Sequence, residues 1–91
     1  MTVTYVLLGQ VVATPAALAA LTAAGVSAAS LLDRYGRGDW GEVGREDWKS
    51  NDWSVVNGER LLSSYMVAGV VIWIITERDR SATTILLPAE Y

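Results

Sequence analysis

The stretch Gly69–Thr76 constrains the fold of this chain more than any other. It reads GVVIWIIT, eight residues without a charge in which β-branched and aromatic side chains dominate. Such side chains suit a pleated strand. Apolar residues fall on both faces, which is typical of a central strand that is covered on both sides. We therefore predict a central strand here, with Trp73 buried in the core.

Two further strands are predicted around it. Leu61–Met66 alternates between its two faces before the central stretch, and Thr83–Leu87 alternates after it. The connections are short, Val67-Ala68 on one side and Glu77–Ser81 on the other. Short connections of this kind join strands that are neighbours in an antiparallel sheet. The C-terminal third therefore predicts a three-stranded antiparallel meander.

The N-terminal third carries no charged side chain at neutral pH, since the first aspartate, glutamate, lysine or arginine is Asp33. No basic n-region is present, so a signal peptide is not predicted. Val11–Ala29 has about the 20 residues that a membrane span needs, but no basic cluster flanks it. Capping and helix-breaking residues also interrupt it at intervals: Gln10, Thr14, Pro15, Thr22, Gly25 and Ser27. Two short helices without membrane contact are therefore favoured over a span. The absence of cysteine agrees with a cytoplasmic location.

Local signals divide the first 57 residues into a strand and three helices. Thr2–Ala13 alternates as an extended segment, with a bulge or bend at Gly9. Thr14-Pro15 and Ser27 are helix starts, because a hydroxyl caps the first turn and proline is tolerated there. The predicted helices are Pro15–Ala24, Ser27–Tyr35 and Arg45–Val56. We expect residues 1–91 to form one α+β domain, in which the N-terminal strand completes a four-stranded sheet with the helices on one face.

The composition argues against catalysis. Histidine and cysteine are both absent, which removes the commonest general base and the thiolate ligands of metals. Glu77 and Asp79 are a possible carboxylate pair, but a solvated hairpin tip is the favoured interpretation because no third ligand accompanies them. A net charge of −3 disfavours direct nucleic-acid binding. We therefore expect no catalytic residue, no metal and no cofactor.

A glycine-rich loop precedes the third helix, with glycines at positions 36, 38, 41 and 44. The tripeptide Arg37-Gly38-Asp39 within it matches the integrin-binding sequence, but three residues match by chance. Tryptophans follow aspartates three times, and we expect Trp48, like Trp73, to pack in the core.

Trp40 and Trp53 are predicted to form an exposed binding hot spot. The proposed partner-binding residues are Arg37, Asp39, Trp40, Asp47, Trp48, Asn51, Asp52 and Trp53. The alternative is that Asp39 and Trp40 only lock the loop onto the domain.

Several motifs resemble those of a group of short bacterial proteins described as "plasmid-related", which are typical of plasmids, prophages and conjugative elements. The motifs are Gly38-Asp39-Trp40-Gly41, Glu46-Asp47-Trp48, Asn51-Asp52, Ile72–Glu77, Asp79-Arg80-Ser81 and Thr83–Pro88. The similarity extends over nearly the whole chain. The group has no established activity, so the resemblance implies a mobile-element context and no mechanism.

Three classes of function follow from these observations. The first is a protein-binding module, most concretely an inhibitor of a host defence system of the anti-CRISPR or antirestriction type, whose partner is a protein that itself binds nucleic acid. The second is a structural or regulatory homo-oligomer, most simply a dimer, that buries the uncharged helices or the second sheet face. The third is a small enzyme, which the composition disfavours.

Overall fold

The computed structural model describes residues 6–91, and the alternating residues Thr2–Tyr5 of the predicted first strand lie outside that range. The described chain forms four strands, three α-helices and a terminal 3₁₀ helix. In chain order they are β1 (Gln10–Ala13), α1 (Pro15–Ala24), α2 (Ala28–Gly36), α3 (Arg45–Asn57), β2 (Leu61–Val67), β3 (Val70–Thr76), β4 (Ala82–Leu86) and the 3₁₀ helix Pro88–Glu90.

The strands form one four-stranded sheet in the order β1-β4-β3-β2. β2, β3 and β4 make the predicted antiparallel meander, in which Ser63 lies opposite Ile74 and Ile74 opposite Ile85. β1 joins at the far edge and runs parallel to β4, with Gln10 beside Ala82. The predicted α+β architecture is confirmed, and the sheet is mixed because its first strand is parallel to its last.

Capping residues mark the starts of α1 and α2 and the end of α1. The Thr14 hydroxyl accepts a hydrogen bond from the Ala17 N–H at 3.1 Å, and the Ser27 hydroxyl accepts one from the Ser30 N–H at 3.1 Å. These are N-cap bonds, which satisfy donors that the first helical turn leaves free. α1 ends at Gly25 with φ +68°. α3 begins at Gly44 without a side-chain cap.

The core lies between the helices and one face of the sheet. Its large, fully buried sheet residues are Leu61, Tyr65, Ile72, Ile74 and Ile85, and those from the helices and loop include Leu21, Tyr35 and Trp40.

A row of hydrogen bonds crosses this core. The Tyr35 hydroxyl lies 2.7 Å from that of Thr76, which lies 2.8 Å from that of Thr83. The Thr83 hydroxyl donates to the Leu8 carbonyl at 2.7 Å. The row links α2, both inner strands and the segment before β1, and it satisfies polar groups that would be costly to bury unpaired.

Within the described residues the first strand begins at Gln10, and the predicted strand residues 6–9 are not part of it. Gly9 bends the chain with φ +63°, so the expected interruption is a bend. A Cβ at this position would collide with the carbonyl oxygens of Arg80 and Ser81. Before the bend, Val6 is buried in the core and does not pair in the sheet. The alternation of this segment therefore reflects core packing as well as strand pairing.

The expectation that β3 is covered on both faces holds in part, since Ile75 on the face opposite the helices is buried, but the expectation that Trp73 is buried is wrong. Ile72 and Ile74 face the helices and are fully buried. Trp73 lies on the opposite face, where it is only partly buried. There it meets Tyr91 edge to face, with ring centroids 5.8 Å apart. The end of the chain, and not a layer of helices, supplies this cover.

No single helix in residues 6–91 has both the length and the apolar character to cross a membrane. α1 and α2 reach that length and composition only as a pair, which is bent by 101° at the break between them.

Candidate protein-binding surface

The glycine-rich loop is fixed to the domain through Asp39. The Arg34 guanidinium donates to the Asp39 carboxylate at 2.8 Å, and the Gly41 N–H donates to it at 3.1 Å. The Tyr65 hydroxyl donates to the Asp39 backbone carbonyl at 2.7 Å. The hydrogen bond from Arg34 holds the pKa of Asp39 below its ordinary value. Asp39 therefore fixes the conformation of the loop through hydrogen bonds to α2, β2 and the loop itself.

Trp40 is fully buried, so the expectation that it is an exposed hot spot is wrong. Its ring meets that of Tyr35 edge to face, with centroids 5.4 Å apart. Its indole Nε1–H donates to the Asp52 carboxylate at 2.9 Å. A buried tryptophan needs such a partner for its N–H, and Asp52 on α3 supplies it. This geometry supports the alternative interpretation, in which Asp39 and Trp40 lock the loop onto the domain.

The loop and α3 also shield the outer edge of β2. The Glu42 N–H donates to the Ser64 carbonyl at 2.6 Å. The buried side chain of Asn51 binds the Leu62 backbone, donating to its carbonyl at 2.8 Å and accepting from its N–H at 3.4 Å. Gly41 permits this approach, since its φ is +74° and a Cβ would collide with the Ser64 carbonyl oxygen. Asn51 is thus a structural residue and is not free to bind a partner.

Four of the eight proposed partner-binding residues therefore make hydrogen bonds to other parts of the domain: Asp39, Trp40, Asn51 and Asp52. Trp48 is only partly buried and packs against the core as expected. Arg37 and Asp47 are exposed, and the Arg37 guanidinium forms a 2.8 Å ion pair with Asp33 on α2.

Trp53 is exposed as expected, since 58% of its surface is accessible to solvent. Val56 follows three positions later on the same helix and is 83% exposed. Residues three apart are neighbours on a helix surface, so the two form one apolar strip. An exposed tryptophan beside an exposed valine has no explanation in the packing of this domain.

A groove adjoins this strip, where α3 meets the end of α2. Its lining residues come from α3 and from the loop after α2: Arg37, Gly38, Trp40, Asp52, Val55 and Val56. Trp40 and Asp52 are the two that the indole hydrogen bond joins. We call Trp53, Val56 and this groove the α3 surface. The sequence analysis missed Val56 as a site residue, although its spacing of three from Trp53 on a predicted helix was a signal.

The remaining charges around α3 are mainly acidic. Within residues 6–91 the ion pairs are Arg34–Asp39, Arg37–Asp33 and Arg78–Glu59. Four carboxylates around α3 belong to none of them: Glu42, Glu46, Asp47 and Asp52. Arg45 and Lys49 are the two cations of the same helix. α3 and the loop before it therefore carry more negative than positive side chains, although Lys49 lies one helical turn before Trp53 and Arg37 lines the groove.

No group of three or more potential ligating side chains in the described part of the chain has the arrangement to hold a metal ion. Comparisons with protein-family models, with curated proteins and with solved structures gave no match for this chain.

Proposed function

We propose that this chain is a small, non-catalytic protein-binding module whose α3 surface docks the partner. The observation that carries the proposal is the exposure of Trp53 beside Val56. Tryptophan is enriched at the energetic centres of protein interfaces, where it fills a pocket and excludes water. The groove next to the strip offers a complementary recess for a side chain of the partner.

The charges favour a basic partner. Asp47 and Glu46 stand on the exposed part of α3 near its start, in addition to Glu42 in the preceding loop. Negative side chains around an apolar centre accelerate and orient the approach of a positively charged surface. A protein that grips nucleic acid presents such a surface, because it must neutralise phosphates. The same charges would repel nucleic acid itself.

The sequence resemblance to mobile-element proteins gives this partner a setting. In that setting the module acts in the bacterial cytoplasm as an inhibitor of a host defence system, such as a CRISPR or restriction nuclease, by covering its nucleic-acid-binding surface. Inhibition by occlusion needs a rigid scaffold and a docking surface. It requires no catalytic residue.

The docking surface is tested with Trp53→Ala and with Glu46→Lys, two helical turns before Trp53 on the same face, each compared with a matched variant elsewhere. Met66→Ala removes another exposed apolar side chain from β2, and Glu77→Lys reverses another exposed carboxylate in the β3–β4 loop. Partner capture from a lysate of the host bacterium should fall for both α3 variants and stay unchanged for both controls. Circular dichroism establishes that all four remain folded. Equal capture by all variants would place the docking surface elsewhere.

The inhibitor role is tested separately in cells that carry a CRISPR or restriction system. Expression of the wild-type chain should restore survival of a targeted plasmid or phage, and Trp53→Ala should not. If survival stays low with wild type while partner capture depends on Trp53, the chain is a binding module without a role against these defences.

A further inference from the structure

The two edges of the sheet are treated differently by the rest of the chain. The β2 edge is covered at Leu62 by Asn51 and at Ser64 by Trp40–Glu42. Among residues 6–91, β1 pairs with β4 on one side and with no strand on the other. Among the described residues, one edge of the sheet is therefore shielded and the other carries no neighbouring strand.

The backbone of β1 shows which groups are open. The Gln10 N–H donates to the Ser81 carbonyl at 3.0 Å, and the Thr14 N–H donates to the Ile85 carbonyl at 3.0 Å. Successive residues of a strand direct their N–H and C=O groups to opposite sides. The N–H and C=O groups of Val11 and Ala13 therefore point away from β4. They present two donors and two acceptors along the open edge.

The side chains at this edge do not discourage pairing. Val11 is 41% exposed and Val12 is 43% exposed. Leu18, also exposed, lies one helical turn past Thr14 at the end of the strand. Natural proteins protect open edges with short strands, lysine, inward-pointing charges, proline or bulges. β1 is short, at four residues, but it contains no charge, proline or bulge.

We propose that the occupant of this edge is a second copy of the same chain, joined through β1 in an antiparallel pair. The chain carries a net charge of −3, but no aspartate, glutamate, lysine or arginine precedes Asp33. The Glu90 carboxylate accepts from the Thr14 hydroxyl at 2.7 Å, just past the end of β1. In an antiparallel pair centred on Val12 the two Glu90 carboxylates lie at opposite ends of the contact, so like charges do not meet there. A second β1 also offers the same two donors and two acceptors, so the interface is self-complementary, as a two-fold dimer requires.

The register follows from the open groups. With the two-fold axis at Val12, Val11 of each copy lies opposite Ala13 of the other, and each such pair exchanges two N–H···O=C bonds. Val12 then lies beside its own symmetry mate in the non-hydrogen-bonded position, where side chains are closest. The dimer would have one continuous sheet of twice four strands. Its two α3 surfaces would remain open, because α3 flanks β2 at the opposite edge.

The test is the mass of the full-length protein in solution, measured by sedimentation equilibrium over a range of concentrations. Wild type should reach twice the 9.8 kDa of one chain. Val12→Lys should halve that mass, because the substitution places two ammonium groups side by side at the axis. Val56→Lys on α3 and Met66→Lys on β2 are the matched controls and should retain the dimer. A monomeric wild type, or a dimer that survives Val12→Lys, would overturn the proposal.

Amide hydrogen exchange tests the register. Exchange at Val11 and Ala13 should slow as the protein concentration rises, and this slowing should vanish in Val12→Lys. If both amides are protected to the same degree in a dilute monomer, another part of the chain occupies the edge and the proposal fails. Trp53→Ala should leave the mass unchanged, so failure of the docking proposal and failure of the dimer are separately visible.

Discussion

The hydroxyl groups of Tyr35 and Thr76 lie 2.7 Å apart, and the hydrogen between them belongs to the tyrosine. The direction follows from the far end of the row. The Leu8 carbonyl can only accept, so the single hydroxyl hydrogen of Thr83 is used there. Thr76 must then donate to Thr83, and Tyr35 must donate to Thr76. Each of the three hydroxyl groups therefore donates its single hydrogen to one identified acceptor.

This direction predicts unequal costs for removing the two ends of the row. Tyr35→Phe leaves an unused acceptor on Thr76, which costs about 1 kcal/mol. Thr83→Val leaves the Thr76 hydroxyl hydrogen without an acceptor and the Leu8 carbonyl without a donor. Each unsatisfied buried group costs about 1–3 kcal/mol, so Thr83→Val should be the more destabilising change in urea unfolding. Equal costs would contradict the assigned direction.

Alkaline pH should weaken the fold through the same tyrosine. Burial raises the pKa of Tyr35 to about 12, above the value of about 10 for an unfolded chain. The folded state therefore favours the neutral form, and this contribution is complete below pH 10 and lost as the pH rises towards 12. Two pKa units correspond to about 2–3 kcal/mol. Burial raises the pKa of Tyr65 as well, so Tyr35→Phe should remove only part of the fall in unfolding free energy between pH 9 and 12. An unchanged fall would contradict the assignment.

Acid pH should act on the loop through Asp39. Its folded pKa is lowered, chiefly by the hydrogen bond from Arg34, so its contribution is present above the unfolded value of about 3.9 and is lost as the pH falls through the folded value. The pair is partly exposed, and such pairs contribute about 1 kcal/mol or less. Asp39→Asn should flatten the fall of unfolding free energy between pH 5 and 2. Asp33→Asn, which removes the exposed pair with Arg37, is the control, and an identical effect there would show that Asp39 has no special role.

The tryptophans should divide by burial when each is replaced with alanine. Trp40→Ala should cost about 3–5 kcal/mol, because it removes a fully buried ring and leaves a cavity. Trp53→Ala should stay within about 0.5 kcal/mol of wild type, as expected for an exposed site. Trp73→Ala should fall between them, because Trp73 is partly buried and its ring packs against that of Tyr91. The measurement is thermal or urea unfolding, and a Trp40→Ala variant as stable as Trp53→Ala would refute the division.

The elements were predictable because each has a local cause. A β-branched run marks β3, and alternation marks β2 and β4. Thr14, Ser27 and Gly25 mark helix ends by the bonds that they form. The position of β1 was less accessible. Its partner is the last strand of the sheet, and no local signal states which strands of a sheet become neighbours or whether they are parallel.

The candidate site was predictable only in part, for a related reason. Trp40 and Trp53 each follow an aspartate, and the neighbouring residues do not indicate which of the two is buried. The difference arises when Asp52 receives the Trp40 indole N–H across 12 positions of chain. The sequence likewise suggests that Asn51 is a surface amide, whereas in the structure its side chain binds the Leu62 backbone of β2. Exposure of a side chain depends on which helices and strands pack against each other, and the local sequence does not specify that packing.

The parallel pairing of β1 with β4 has a consequence for how the chain folds. Gln10 and its partner Ala82 are 72 positions apart. Contacts between residues so far apart in sequence are slow to form, because a long loop must close first. During synthesis β1 emerges early, and it has no strand to pair with until β4 has been made. A chain that stops before Ala82 would leave its uncharged N-terminal third without the strand that holds it, and such fragments should aggregate instead of accumulating as folded protein.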